Sequence, residues 1–324
     1  MDNLLKVIDL HCDTFDRLAY DYETGWNKTG AHRPQTLKHN DKALNLEEMK
    51  DFRWLQCFAI FIPERFQNQE ALDFYLRVKD RYDLEFSDFS SEIQQIRSIS
   101  ELDSVWESGK AASFLTIENG TVLNAQISTI DILQEHGVKM LTLTWNGKNA
   151  IGSGNDTTDG LTTFGREAIK ALEEANIIID LSHLNEHGYD DAFEVTDKPM
   201  VASHSNLRAV CDHPRNLQDE QVLRLIDMGG IFGLNFCRDF ISTKHADPDF
   251  DDISYHIDHA IKLGAEDHLC LGTDYDGAKV PSFLSAGSKL QGFYELLENR
   301  FGQEISAKLF YKNAQRFFNE YEAS

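Results

Sequence analysis

The sequence predicts an α/β fold, a single (β/α)8 TIM-type barrel covering residues 1–324. Three observations lead there. Eight short apolar runs alternate with amphipathic stretches from one end of the chain to the other. Most of these runs are apolar throughout, as parallel strands are when helices cover one face and a packed barrel interior the other. The length of 324 residues also suits one such barrel, since barrels run to about 250 residues and beyond 400 with insertions. An open doubly wound sheet is the competing architecture, but no Gly-x-Gly-x-x-Gly pattern follows the first run.

The eight predicted strands are 7–13, 55–62, 112–118, 140–145, 177–183, 200–204, 230–236 and 268–274. Helical patterns lie between them at 127–136, 164–175, 219–228 and 254–263, the last followed by Gly264 as a C-cap. A closing helix is expected over 304–321. The polar segment at about 20–46 is long for a connection after a first strand and reads as a lid or as a plain surface insertion. No internal repeat, low-complexity tract or linker divides the chain.

Composition narrows the function classes. With 31 Lys and Arg against 54 Asp and Glu, the formal charge is −23. Such a field repels nucleic acid and anionic membranes, so neither is expected as a partner. The five cysteines, Cys12, Cys57, Cys211, Cys237 and Cys270, include no Cys-x-x-Cys pair and are odd in number, which points to a reducing compartment. No signal peptide or bilayer-length apolar run is visible, so the expected location is the cytoplasm.

In a barrel of this kind the chemistry sits at the C-terminal ends of the strands. The first predicted strand ends in Asp9-Leu10-His11-Cys12-Asp13. His11 and Asp13 are two residues apart and share one face, where both can chelate one cation. The third ends at Glu118, whose two oxygens suit a bridge between cations; a helix cap is the plainer reading. The fifth and sixth end at His183 and His204, each bringing an imidazole to the barrel mouth. One strand-end histidine is usually structural, but three histidines and two carboxylates at four strand ends form a ligand set. That mixture of nitrogen and oxygen suits Zn2+, ahead of Mn2+, Co2+ or Fe2+. The eighth strand ends at Asp274, placed to exchange a proton with water at such a centre. Asp276, two residues on, reads more simply as a turn residue before Gly277. Arg215, after the sixth strand, offers a planar fork for a substrate carboxylate, with a surface salt bridge as the alternative.

These residues resemble the membrane (renal) dipeptidase family, a branch of the amidohydrolase superfamily. The resemblance runs from Ile8 to about Phe318. It is carried by Asp9-Leu10-His11-Cys12-Asp13, by Gly160-Leu161-Thr162-Thr163-Phe164-Gly165, by Asp180-Leu181-Ser182-His183, by Ser203-His204-Ser205-Asn206 through Cys211-Asp212-His213-Pro214-Arg215-Asn216-Leu217, and by Gly272-Thr273-Asp274. It implies two divalent metal ions, zinc by preference. His11 and Asp13 would hold one, His183 and His204 the other, and Glu118 would bridge them. Arg215 would bind the substrate carboxylate, Asp274 would act as acid and base, and a C-terminal D-residue would be tolerated. The implied partner is a small dipeptide; a homodimer is one of the assemblies left open. One position departs from the family: Trp145 stands where mammalian members carry a histidine that touches the substrate. An indole donates one hydrogen bond and ligates nothing, so Asn146 is the candidate for the missing polar contact.

Two other readings remain at the level of sequence. One is a metal hydrolase of a lactone, an amidated amino acid or a phosphotriester. Many such enzymes bridge their metals with a carboxylated lysine on the fourth strand, where this chain offers Trp145 and Asn146. The other is a barrel that binds without turnover.

Overall fold

A computed structural model describes residues 4–23 and 35–324. Among the described residues nine parallel strands are present: β1 (Leu5–Cys12), β2 (Phe52–Phe61), β3 (Ile93–Gln95), β4 (Ala111–Glu118), β5 (Val138–Thr142), β6 (Ile178–Asp180), β7 (Val201–Ala202), β8 (Ile231–Leu234) and β9 (Leu269–Leu271). Eight of them close a ring in the order β1-β2-β4-β5-β6-β7-β8-β9, with β2 paired to β4 and β9 paired to β1. The expected closed eight-stranded TIM-type barrel is therefore the observed one.

The ninth strand, β3, was not expected. It pairs with β4 only at Ala111–Ser113. Since β2 occupies one edge of β4 and β5 pairs with the other only from Leu115 onward, β3 fills the lower part of that second edge. Three residues show no period long enough to be read from sequence.

Several strands are also shorter than expected. β6 stops at Asp180 rather than 183, and β7 holds two residues instead of five. Side chains replace the ladder there. The N–H groups of Ser182 and Ser203 donate to Asp180 Oδ1 at 3.0 and 2.8 Å, and His204 N–H donates to Ser182 Oγ at 3.0 Å. The predicted closing helix is instead two elements: Leu290–Ala307, broken at Gly302 (φ 83°), and Asn313–Ala323, joined through a π-helical turn over Lys308–Lys312.

The barrel interior is apolar at its lower end. Ile8, Leu10, Cys57, Phe114, Met140 and Ile178 pack there with Phe317 and Phe318 of the helix Asn313–Ala323, which plugs the floor. Burying each large apolar side chain contributes about 1.5–3 kcal/mol. A second, larger cluster lies between the strands and the surrounding helices.

One irregularity in β1 sets the site. Asp9 pairs with Gln56 but Cys12 pairs with Phe58, so three steps along β1 match two along β2. The extra residue is a β-bulge, a device that re-aims side chains. Ile8 and Leu10 belong to the interior cluster, and strict alternation would send His11 outward. The bulge returns His11 to the inside, Cys12 joins the outer cluster, and Asp13 follows His11 inward.

The lid expected at about 20–46 falls partly on residues 24–34, outside the described residues. Its remaining part is anchored: Leu37 N–H donates to Glu85 at 2.8 Å, and Leu44 and Leu46 are buried. Among the described residues no helix is long and apolar enough to cross a membrane.

Candidate active site

Five predicted ligand residues converge at the barrel mouth, all nearly inaccessible. His11 Nε2 lies 3.3 Å from Asp13 Oδ2 and 3.7 Å from Glu118 Oε2. The other Glu118 oxygen lies 2.9 Å from His183 Nε2 and 3.8 Å from His204 Nε2. Glu118 thus faces His11 with one oxygen and the other two imidazoles with the second. The His11 and His204 rings stack at 3.8 Å. Two overlapping groups have ligand atoms close enough to hold a metal ion: His11, Glu118 and His204, and His11, Asp13 and Asp274.

Hydrogen bonds fix which imidazole nitrogens face inward. Ser203 Oγ donates to Asp180 Oδ2 at 2.6 Å, so it accepts from His204 Nδ1 at 2.8 Å. His183 Nδ1 donates to Asn146 Oδ1 at 2.8 Å. Both Nε2 atoms therefore carry lone pairs, and they lie 3.0 Å apart. Burial, then Arg215 and His11, pushes the His183 imidazole well below its ordinary range, and burial, then His11, does the same to His204. Neutral imidazoles with facing lone pairs repel unless a cation lies between them. Zn–N bonds of about 2.0–2.1 Å suit nitrogens at such a separation.

The other half of the site is short of positive charge. Burial alone would depress His11, yet Asp13, Glu118 and Asp274 raise it to about 10. Its Nε2 is buried with no hydrogen-bond partner. Burial and then Asp13 push Glu118 well above the usual carboxylate range. Such a donor set fits divalent cations, with the distal nitrogens oriented by hydrogen bonds as metal-site histidines require.

Asp274 lies at the rim of this cluster. Its backbone is left-handed (φ 59°), as is that of His183 (φ 69°). Non-glycine residues there cost roughly 1–3 kcal/mol each and concentrate at functional sites. Burial raises Asp274 to about 6, offset in part by His11 and by the Asn235 amide. A cavity of about 810 Å³ opens above the cluster, and Arg215, Trp145 and Asn146 line it with Asp274. Arg215 is buried rather than forming a surface salt bridge. Its Nη2 donates to the His204 carbonyl at 3.3 Å, and its Nε has no partner. Asp276 points elsewhere: its carboxylate accepts from Thr14 Oγ1 at 2.6 Å and Ala43 N at 2.8 Å, a structural tie.

The model of the membrane dipeptidase family, peptidase family M19, matches residues 2–324. The chain belongs to the membrane dipeptidase family. Its relatives include a Klebsiella pneumoniae protein encoded in the 5′ region of pqqA, 35% identical over 189 residues, which are 55% of this chain and 70% of that one. Among solved structures, a metallopeptidase of family M19 described as dipeptidase AC is 25% identical, with a TM-score of 0.88 over 99% of this chain and 100% of that one. A Rhodobacter sphaeroides metallopeptidase, liganded with a phosphinate mimic of the dipeptide L-Ala-D-Ala, is 24% identical; its TM-score is 0.88 over 98% of this chain and 99% of that one. The protein is a metallodipeptidase whose candidate metal groups are the buried histidines and carboxylates just described.

Within this membrane dipeptidase barrel, Trp145 forms a wall. Its ring lies 5.2 Å from that of Phe61 and 6.0 Å from that of His183. Asn146 has its oxygen committed to His183 and orients that ring.

Other site residues escaped the sequence reading. Asn235 donates to Asp274 Oδ2 and to the His204 carbonyl, both at 3.0 Å. It follows β8, a strand end whose polar residue the strand-end criterion would have found. Asp180, quoted as part of a motif, is the hub that joins Thr142, Ser182 and Ser203. Asp9 does the same for Gln56 and Thr273 on the other side of the ring. Asp16 lines the cavity beside Asp13, and no spacing rule singles it out.

Proposed function

We propose that this dipeptidase cleaves dipeptides, including those with a C-terminal D-residue, with two zinc ions held by His11, Asp13, Glu118, His183 and His204. The observation that carries the reading is the placement of Glu118, one oxygen toward His11 and the other toward His183 and His204. A carboxylate so placed would serve two cations at once.

Bound divalent cations supply Lewis acidity, which polarises a carbonyl and lowers the pKa of water toward neutrality. The protein's own residues do the rest. Asp274, raised to about 6, accepts a proton near neutral pH and returns it to the departing amine. Asn235 holds its Oδ2 in place. Arg215, which lines the cavity and has an unpartnered Nε, receives the substrate's C-terminal carboxylate, which restricts cleavage to very short peptides. Trp145 and Asn146 flank the substrate beside His183. The D-residue reading draws support from the L-Ala-D-Ala mimic bound by the Rhodobacter sphaeroides relative.

Metal analysis coupled to an assay over matched L,L and L,D dipeptides tests this. The expected result is two zinc ions per chain and turnover of both series. One metal per chain, or cleavage of lactones in preference to dipeptides, would overturn it. His183→Ala should lower the zinc content; an unchanged ratio would remove His183 from the ligand set.

A further inference from the structure

Of the carboxylates lining the cavity, the reaction above does not use Asp16, Asp156 and Asp239, and of these only Asp16 is buried. Asp16 lies in the first turn of the helix Thr14–Glu23, just past β1. It is 3% exposed and lines the same cavity as Asp13, Glu118 and Asp274. One oxygen, Oδ2, accepts from Phe61 N–H at 2.7 Å. The other, Oδ1, is buried without any hydrogen-bond partner. Leaving a buried acceptor unsatisfied costs about 1–3 kcal/mol, and more for a charged one, so a carboxylate kept in this state calls for a cationic visitor.

Asp13 adds a negative charge nearby. Burial followed by the negative charge of Asp13 raises Asp16 well above the usual range, against the Phe61 N–H, Arg17 and His11, which act the other way. Under the dipeptidase reading the scissile carbonyl sits over Asp13 and Glu118, in the cavity that Asp16 also lines. In a dipeptide the α-ammonium is two bonds from that carbonyl carbon, so the cation of the amino-terminal residue falls within its reach. The aromatic faces of Phe61 and Trp145, 5.2 Å apart, continue the wall from Asp16 toward His183. Such faces attract ammonium groups in their own right.

We infer that Asp16 is the specificity residue that receives the ammonium of the substrate's amino-terminal residue, with Phe61 and Trp145 as the walls of that subsite. This rests on the dipeptidase reading. The chemistry recognised is a primary ammonium, whose sources are the α-amine or a basic side chain.

The test compares three substrates on the zinc-loaded enzyme: Leu-Ala, its desamino analogue 4-methylpentanoyl-Ala, and Lys-Ala. Hydrolysis of Leu-Ala by the unaltered enzyme checks the dipeptidase reading separately. Asp16→Asn removes the charge but still accepts from Phe61 N–H, and metal content and Tm are measured beside it. The unaltered enzyme should favour Leu-Ala over the desamino analogue by tenfold or more in kcat/KM. In Asp16→Asn that preference should fall to about threefold or less, chiefly through a higher KM for the amine. If the desamino preference survives and only a preference for Lys-Ala over Leu-Ala is lost, the ammonium received is the side chain's and the subsite stands. Equal losses on all three substrates, or no change on any, would overturn the assignment. Should Asp16→Asn lose metal or fold, Asp16→Ser with the same three-substrate ratio decides.

Discussion

Asn235 Nδ2 lies 3.0 Å from Asp274 Oδ2 and, at the same distance, from the carbonyl of His204. One amide thus ties the proposed proton carrier to the backbone of a proposed ligand. Its hydrogen bond favours the ionised form of Asp274 and holds back a rise caused mainly by burial. In Asn235→Ala the carboxyl should therefore titrate higher. Asp274 acts as a base only when deprotonated, so activity falls as pH drops through its pKa. The acid limb of the kcat/KM profile should move to higher pH, and an unmoved limb would detach Asn235 from this role.

Asp274→Asn keeps the shape of the side chain and removes its basicity. Zinc content should be retained, and kcat should fall on the order of 10²–10⁴-fold, the usual worth of a positioned acid–base group. Near-normal turnover would rule out proton transfer at this atom.

Gly277 shows how closely the rim is packed. A β-carbon there would overlap Asp13 Oδ2 and come within 2.5 Å of Asp274 Oδ1. Gly277→Ala should displace both carboxylates, so activity and metal affinity should drop at least tenfold while Tm changes little, because the residue is exposed and lies outside the core. Full activity in this variant would show that the carboxylates can yield without loss.

His256 lies away from the metal groups and gives a stability test. Its Nδ1 accepts from Leu207 N–H at 3.2 Å and its Nε2 donates to the Ile241 carbonyl at 3.0 Å, so the buried ring is neutral. Burial depresses it from 6.5 to about 4. Between those values the unfolded chain binds the extra proton, so its contribution is full above pH 6.5 and is lost as pH falls toward 4. The slope is about 1.4 kcal/mol per pH unit. His256→Gln should be less stable at pH 7 and show a flatter decline in Tm from pH 7 to pH 5. A parallel decline in both proteins would assign the acid sensitivity elsewhere.

The ring of strands was legible because each carries an apolar run of its own, and most proposed ligands because they stand at the ends of those runs. What sequence hid was local. The bulge in β1 has no compositional mark, yet without the register shift between Asp9 and Cys12 His11 would face the helices. The early ends of β6 and β7 come from the Asp180 carboxylate and the Ser182 hydroxyl taking over the backbone donors of Ser182, Ser203 and His204, a competition that apolar content does not register. Asn146 was read as a substrate contact because of its neighbour Trp145, and only coordinates show its oxygen on His183.

The barrel floor has a consequence for biogenesis. β1 is joined on one side by β9, and the space beneath is filled by Phe317 and Phe318. While the chain is still growing on the ribosome, the first strand has no neighbour on that side until Leu271 has emerged, and the cylinder stays unsealed until the helix Asn313–Ala323 is free of the exit tunnel. The metal-binding rim therefore cannot take its final form before residues 313–323 have emerged.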